Sequence, residues 1–245
     1  MRLIGWDCAV DARKCGVAFG EMSGKGLEVE SVETGLSDKA LTGAIAERIS
    51  ATDPCLLAID APLGWPSDLG EALRGHEAGG SISHLSNNLF RRNTDRFIKS
   101  AIGKQSLDVG ADRIARTALA ALQRLAHIRE STRQSLPLAW LPGQMAGSAC
   151  IEAYPAGTLT VYGFPATGYK GKDVKHQDAR DQLVKALAQI MHIPEAVRVR
   201  MRANDDALDA VVCLLAGYDY MRGEVMRPDD QALAEKEGWI WVRQP

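Results

Sequence analysis

Four aspartates in three separate segments have the type and placing needed for metal-assisted phosphoryl chemistry. Asp7 closes the apolar run Leu3-Ile4-Gly5-Trp6-Asp7, and Asp60 closes Cys55-Leu56-Leu57-Ala58-Ile59-Asp60. Asp206 and Asp209 sit three apart in Asp205-Asp206-Ala207-Leu208-Asp209-Ala210, which opens a long apolar segment. An ionised carboxylate beside buried strand residues is costly unless it is paired or bound to a cation. All-oxygen donors suit hard divalent ions such as magnesium or manganese. The ends of two adjacent strands bring Asp7 and Asp60 together, and a helix crossing those ends presents Asp206 and Asp209 on one face. Two cations roughly 4 Å apart in such a cluster would activate a water and stabilise the leaving oxygen of a phosphodiester.

Each residue also has a plainer role open to it. Asp206 suits a helix N-terminus, where a negative charge is worth about 0.3–1 kcal/mol; Asp205 suits that role best and is the weakest candidate ligand. Asp7 can cap a turn, although that leaves the convergence unexplained. Glu152, in Ile151-Glu152-Ala153-Tyr154, is either a further ligand or a strand-end acid paired with an arginine. Basic residues gather in three places: Arg91 to Lys104, Lys170 to His176, and Arg198 to Arg202. Arg91, Arg92 and Arg96 are candidate phosphate contacts, with Asp95 orienting one of them; solvated salt bridges are the alternative.

The elements that must position these residues follow from periodicity. Residues 3–8, 16–20 and 27–32 read as a three-strand meander, the third alternating as a half-exposed strand. Ser37 caps a helix over about 38–50 with Leu41, Ile45 and Ile49 on one face. Residues 55–60 are apolar throughout, as in a strand covered on both faces. Residues 75–90 read as a long Gly/Ser-rich loop, and 112–130 as a helix with Ile114, Ala118, Leu122 and Leu125 on one side. Residues 149–154 form a fifth strand, stopped by Pro155. Helices follow over about 174–191, from Pro194, and over about 204–221. The tail 238–242 is strand-like and suits a sheet edge. This order predicts an α/β fold: a mixed five-stranded sheet, meander first, helices on both faces, and an insertion at about 62–148 within a single domain spanning 1–245.

The 46% hydrophobic content supplies a core, and no apolar run approaches the roughly 18 residues of a membrane span. An acid as early as Asp7 argues against a secretory signal. Five cysteines without C-x-x-C spacing read as reduced thiols of a cytoplasmic protein, neither a disulfide frame nor a zinc site. The net charge of −2 does not advertise a nucleic-acid partner, so any phosphate contact must be local. Gly20-Glu21-Met22-Ser23-Gly24-Lys25-Gly26 has the wrong spacing for a phosphate loop and reads as a hairpin turn. No G-x-S-x-G elbow is present, so a serine hydrolase is not expected. Trp140, Trp239 and Trp241 can stack bases, but core or edge packing is the commoner fate of tryptophan. The sequence is compatible with a homo-oligomer.

Several of these segments carry a resemblance. Ile4-Gly5-Trp6-Asp7, Ala58-Ile59-Asp60-Ala61-Pro62-Leu63-Gly64, Arg92-Asn93-Thr94-Asp95-Arg96, Ile151-Glu152-Ala153-Tyr154-Pro155-Ala156 and Asp205-Asp206-Ala207-Leu208-Asp209-Ala210 resemble, in that order, a domain-of-unknown-function family (DUF429) predicted to be nuclease-like. The acidic pattern resembles the ribonuclease H-like superfamily and its Holliday-junction resolvases, with Asp60 where the resolvases carry glutamate. Sugar-kinase and actin-like ATPases share a related core, but Cys8-Ala9-Val10 lacks their Gly-Thr turn. The resemblance implies a metal-dependent nuclease with two Mg²⁺ or Mn²⁺ ions. Asp7 would bridge both, Asp60 and Asp209 would each hold one, and Asp206 or Glu152 would complete the set. The alternatives are a non-catalytic nucleotide- or partner-binding module and a small phosphate-ester hydrolase. An enclosed pocket would favour the small ester, and an open basic groove the polymer.

Overall fold

A computed structural model describes residues 1–49, 53–110 and 112–245. The apolar runs form the expected strands, β1 (Arg2–Asp7), β2 (Gly16–Ser23), β3 (Gly26–Thr34), β4 (Cys55–Asp60) and β5 (Ala149–Glu152). Their order in the sheet is β3-β2-β1-β4-β5. The meander is antiparallel, whereas β4 lies parallel to both β1 and β5. The two parallel pairs need crossover connections. Helix α1 (Asp38–Arg48) lies in the first, its N-terminus capped by Ser37 accepting from the Ala40 N–H. The end expected near residue 50 falls outside the described residues.

Strand alternation sorts the core into two layers. Leu3, Ala18, Leu56, Ala58 and Ile151 pack on one face, largely against α9 (Asp205–Met221). Ile4, Trp6, Val17, Phe19, Leu57 and Ile59 pack on the other with α1 and α5 (Asp112–Thr132), through Leu41, Ile45, Ala121, Leu125 and Ile128. Near-total burial of β1 and β4 explains why both read as continuous apolar runs.

Two glycines set how closely α9 approaches. A Cβ on Gly5 would run into the Ala210 carbonyl oxygen and stand 2.7 Å from the Leu214 nitrogen; one on Gly16 would run into the Asp206 carbonyl. Their missing side chains let the helix lie directly on β1 and β2, so its first turn reaches the end of β1.

The insertion is more helical than its composition suggests. It holds α2 (Ser67–Leu73), α3 (Ser86–Phe90), α4 (Asn93–Ile102) and α5, so the loop expected over 75–90 gives way to α3 at its end. Two further helices were not expected, α6 (Pro155–Val161) and α10 (Gln231–Glu237). Pro155 stops β5 but also begins α6, since proline at the first helical position sacrifices no hydrogen bond. Helices α7 (Val174–Leu187) and α8 (Glu195–Ala203) follow expectation. The tail reaches the edge of β5, where Trp241 N–H donates to the Glu152 carbonyl at 3.0 Å, but it forms isolated bridges and not a sixth strand. Trp239 and Trp241 are buried in the core and are not base-stacking platforms. No described helix is long and apolar enough to cross a membrane.

Candidate carboxylate site

Asp7 and Asp60 are register partners at the ends of parallel neighbours β1 and β4. By alternation both leave the sheet on the α9 face, in line with Leu3 and Leu56. Asp209, three residues after Asp206, is 1% exposed on α9. Its Oδ1 accepts from the Tyr169 hydroxyl at 2.8 Å, and its Oδ2 lies 2.5 Å from Lys170 Nζ. The carboxylates expected from three separate segments therefore do share one locality.

Their acidities record the crowding. Burial first, then the Asp209 and Asp60 charges, hold the Asp7 carboxyl well above the ordinary range. Burial and Asp209 bring Asp60 up to about 7. Burial, with Asp205 and Asp209, brings Asp206 up to about 6. Burial also raises Asp209, although Lys170 and Tyr169 offset part of it. Burial opposes the charge on Lys170, but Asp209, Asp7 and Asp60 outweigh it and hold its proton firmly.

A carboxyl whose folded pKa is raised stabilises the fold fully below its unfolded value, near pH 4, and that contribution is lost as pH rises through the folded value. In chelator, Asp60→Asn should therefore gain on the wild type between pH 4 and 8, by more than about 1 kcal/mol, the worth of one pKa unit. Urea unfolding at pH 5 and pH 8 measures it; a constant difference across that window would contradict the assignment.

Glu152 does not join the aspartates. It is the register partner of Ile59 and leaves β5 toward the opposite face. Arg92 Nη1 holds its oxygens at 2.9 and 2.7 Å, and Leu63 N–H donates to it at 3.0 Å. Its role as a ligand is thus corrected to the arginine-paired acid. Of the three arginines, Arg92 is corrected with it. Arg92 is 1% exposed and also binds Asp95 and the Glu237 carbonyl. Arg91 pairs with Asp108 and Asn87, and Arg96 donates to the Asn87 and Arg91 carbonyls. Arg92 braces the insertion and is closed to a phosphate, whereas Arg91 and Arg96 are half-buried and held by neighbouring groups; Asp95 pairs with Arg92, as an acid orienting an arginine does.

A cavity of about 280 Å³ opens above Asp7 and Asp60. Lys170, Arg113, Thr117 and Tyr154 supply polar walls, and Pro62, Leu107, Ile114 and Ile240 apolar ones. Arg92, Asp95 and Glu152 back it from behind their ion pairs. Lys170, Tyr169 and Arg113 were not singled out from sequence. Lys170 stood in a named basic cluster, and Arg113 opens the expected helix, but nothing local ties either to acids far along the chain.

The donors fit a hard divalent cation in chemistry and in charge, because their mutual repulsion leaves the cluster short of positive charge beyond Lys170. Among the described residues no three acidic, histidine or cysteine side chains converge on a single ion position. Lys170 has its ammonium where part of that compensation would go.

No curated protein and no solved structure matches the chain. A family model described as a protein of unknown function (DUF429) matches residues 9–233, a span that holds Asp60, Asp206 and Asp209 and starts two residues after Asp7. The chain belongs to the DUF429 family.

Proposed function

We propose that the chain is a divalent-cation-dependent hydrolase of phosphate esters, with a substrate no larger than a nucleotide or the end of a nucleic-acid strand. The observation that carries this reading is the meeting of Asp7, Asp60 and Asp209 from two strand ends and a helix: Asp209 raises the proton affinity of both strand-end acids, and those two line one cavity. Its volume, about 280 Å³, lies at the small end of the roughly 300–1,000 Å³ usual for small-molecule sites. A space of this size suits a single nucleotide or a strand end.

Asp7, Asp60 and Asp209 would hold the cation, Mg²⁺ or Mn²⁺, with Asp206 beside them. A bound cation would supply a water of lowered pKa and charge for the leaving oxygen. The remaining work falls to the chain. Tyr169 fixes the rotamer of Asp209 by its hydroxyl bond. Lys170, on a half-exposed side chain, can leave Asp209 for a substrate phosphate oxygen, freeing Oδ2 as a donor. Arg113 stands on the insertion wall as a second phosphate partner, and Leu107 and Ile114 shield the reacting group from water.

The test is hydrolysis of a nitrophenyl phosphomonoester, a nitrophenyl phosphodiester and a short single-stranded oligonucleotide in Mn²⁺. Turnover should appear in at least one, and Asp7→Asn should lower it by about a hundredfold or more, the upper scale for disturbing a metal's surroundings. Full activity in the variant would remove Asp7 from the reaction. One observation favours a second reading, the Lys170–Asp209 pair, which compensates the cluster without any cation. A nucleotide-binding module of that kind would gain thermal stability from nucleotide in chelator and turn nothing over.

A further inference from the structure

The β1–β2 hairpin carries a pair of sulfurs that the carboxylate chemistry does not use. The ladder runs Trp6↔Val17 and then Asp7↔Gly16. Extended by one step this register sets Cys8 opposite Cys15, and a side-chain hydrogen bond joins the two. Both are buried, 8% and 1% exposed, on the face that holds Trp6 and Val17. Directly opposed residues of an antiparallel pair have Cα atoms about 4.5 or 5.5 Å apart, within the roughly 4.4–6.8 Å that a disulfide spans.

A single cation serves both sulfurs. Arg124 Nη1 lies 3.8 Å from Cys8 Sγ and 3.8 Å from Cys15 Sγ. The guanidinium is pinned by Asp38 at 2.7 Å and by the Ala9 and Val10 carbonyls. Ala9 N–H also donates to Cys15 Sγ at 3.2 Å. A sulfur facing a guanidinium and an amide N–H is set up to carry negative charge. The Cys8 hydrogen bond, with these donors, brings the Cys15 thiol down to about 7 against the effect of burial. Cys8 in turn lines the cavity above Asp7, a route for a small oxidant.

The other three cysteines lack this arrangement. Cys150 is the register partner of Leu57, so Cys55 sits two residues out of step with it. Burial pushes both thiols up to about 12. Cys213, on α9, turns its sulfur toward the Trp6 carbonyl.

We propose that Cys8 and Cys15 form a redox-active dithiol, which a small hydroperoxide converts to a disulfide closing the loop between β1 and β2. In the first step the Cys15 sulfur attacks one oxygen of hydrogen peroxide. An S–O bond forms, the O–O bond breaks, and the departing hydroxide leaves as water with the Cys15 proton. The Cys8 sulfur then attacks the sulfenic sulfur. The S–S bond forms, the S–O bond breaks, and the second hydroxide leaves as water with the Cys8 proton. Two electrons pass from the thiols to the peroxide, and a dithiol reductant reverses the change.

The test is peptide mapping of the folded wild-type protein after hydrogen peroxide, with remaining thiols alkylated in denaturant. The expected product joins the Cys8 and Cys15 peptides with the loss of two hydrogens, is undone by dithiothreitol, and leaves Cys55, Cys150 and Cys213 alkylated. Cys15→Ser should give no such product; wild-type mapping decides the matter alone if that variant does not fold. Persistence of both thiols, a sulfinic acid on Cys15 with Cys8 still free, or links to the other cysteines would overturn the proposal.

Discussion

Replacing Arg92 with alanine should cost roughly 3–5 kcal/mol of folding stability, the usual consequence of removing one partner from a buried ion pair. Arg92 and Glu152 are each about 1% exposed on their side chains, and Asp95 is buried with them. Without the guanidinium two carboxylates would stay in the interior with only Leu63 N–H, Ser106 and the Arg92 N–H as donors. The loss would spread, because this cluster joins three parts of the chain. Arg92 reaches the Glu237 carbonyl at 3.1 Å, Glu237 accepts from Ser67 and Asn93, and Thr94 accepts from Ile240 N–H. The insertion, β5 and the C-terminal segment are thereby tied behind the cavity. Denaturant unfolding measures the effect. Arg91→Ala, at a partly exposed pair with Asp108, should change stability by no more than about 1 kcal/mol. Equal small losses in both would mean that the buried network does not brace the fold.

Gly5→Ala should be nearly as damaging, at or above 3 kcal/mol, the upper end of the usual cost of overpacking. The new methyl would meet the Ala210 carbonyl and the Leu214 nitrogen, which are backbone and cannot rotate away. Helix α9 would have to lift from β1, and Asp206 and Asp209 would move with it. The substitution is therefore expected to lower metal affinity as well as the unfolding midpoint. Gly43→Ala, on α1 with nothing within 4 Å of the added Cβ, is the matched control. It should be neutral or slightly stabilising, since alanine is the better helix former.

Much of this arrangement is legible in the chain because the sheet is so thoroughly buried. Leu3 to Trp6 and Cys55 to Ile59 leave no polar position until an aspartate ends each run, so the strand ends identify themselves. The three-residue step from Asp206 to Asp209 fixes a common helix face. What was missed shares one cause, contact across long sequence separation. Arg92 meets Glu152 across 60 residues, and Asp209 meets Lys170 and Tyr169 across about 40. Charge type alone does not reveal which basic residue finds which acid. Alternation along β5 does contain the correction for Glu152: Ile151 shares the α9 face, so its neighbour turns away. Helix α10 was passed over although Gln231-Ala232-Leu233-Ala234-Glu235-Lys236-Glu237 is rich in helix formers and Asp230 caps it. Its short length hid it beside the tryptophan tail.

The proposed function requires Asp7, Asp60 and Asp209 to share a divalent cation once Lys170 has moved off Asp209. Calorimetric titration of Mn²⁺ into the wild type and Asp7→Asn, with and without inorganic phosphate, tests it most directly. The wild type should bind with release of protons, because carboxyls held above their ordinary pKa give them up to the metal. Asp7→Asn should weaken binding by about tenfold or more. Absence of binding by the wild type at millimolar Mn²⁺ in both conditions, or equal binding by the variant, would contradict the claim.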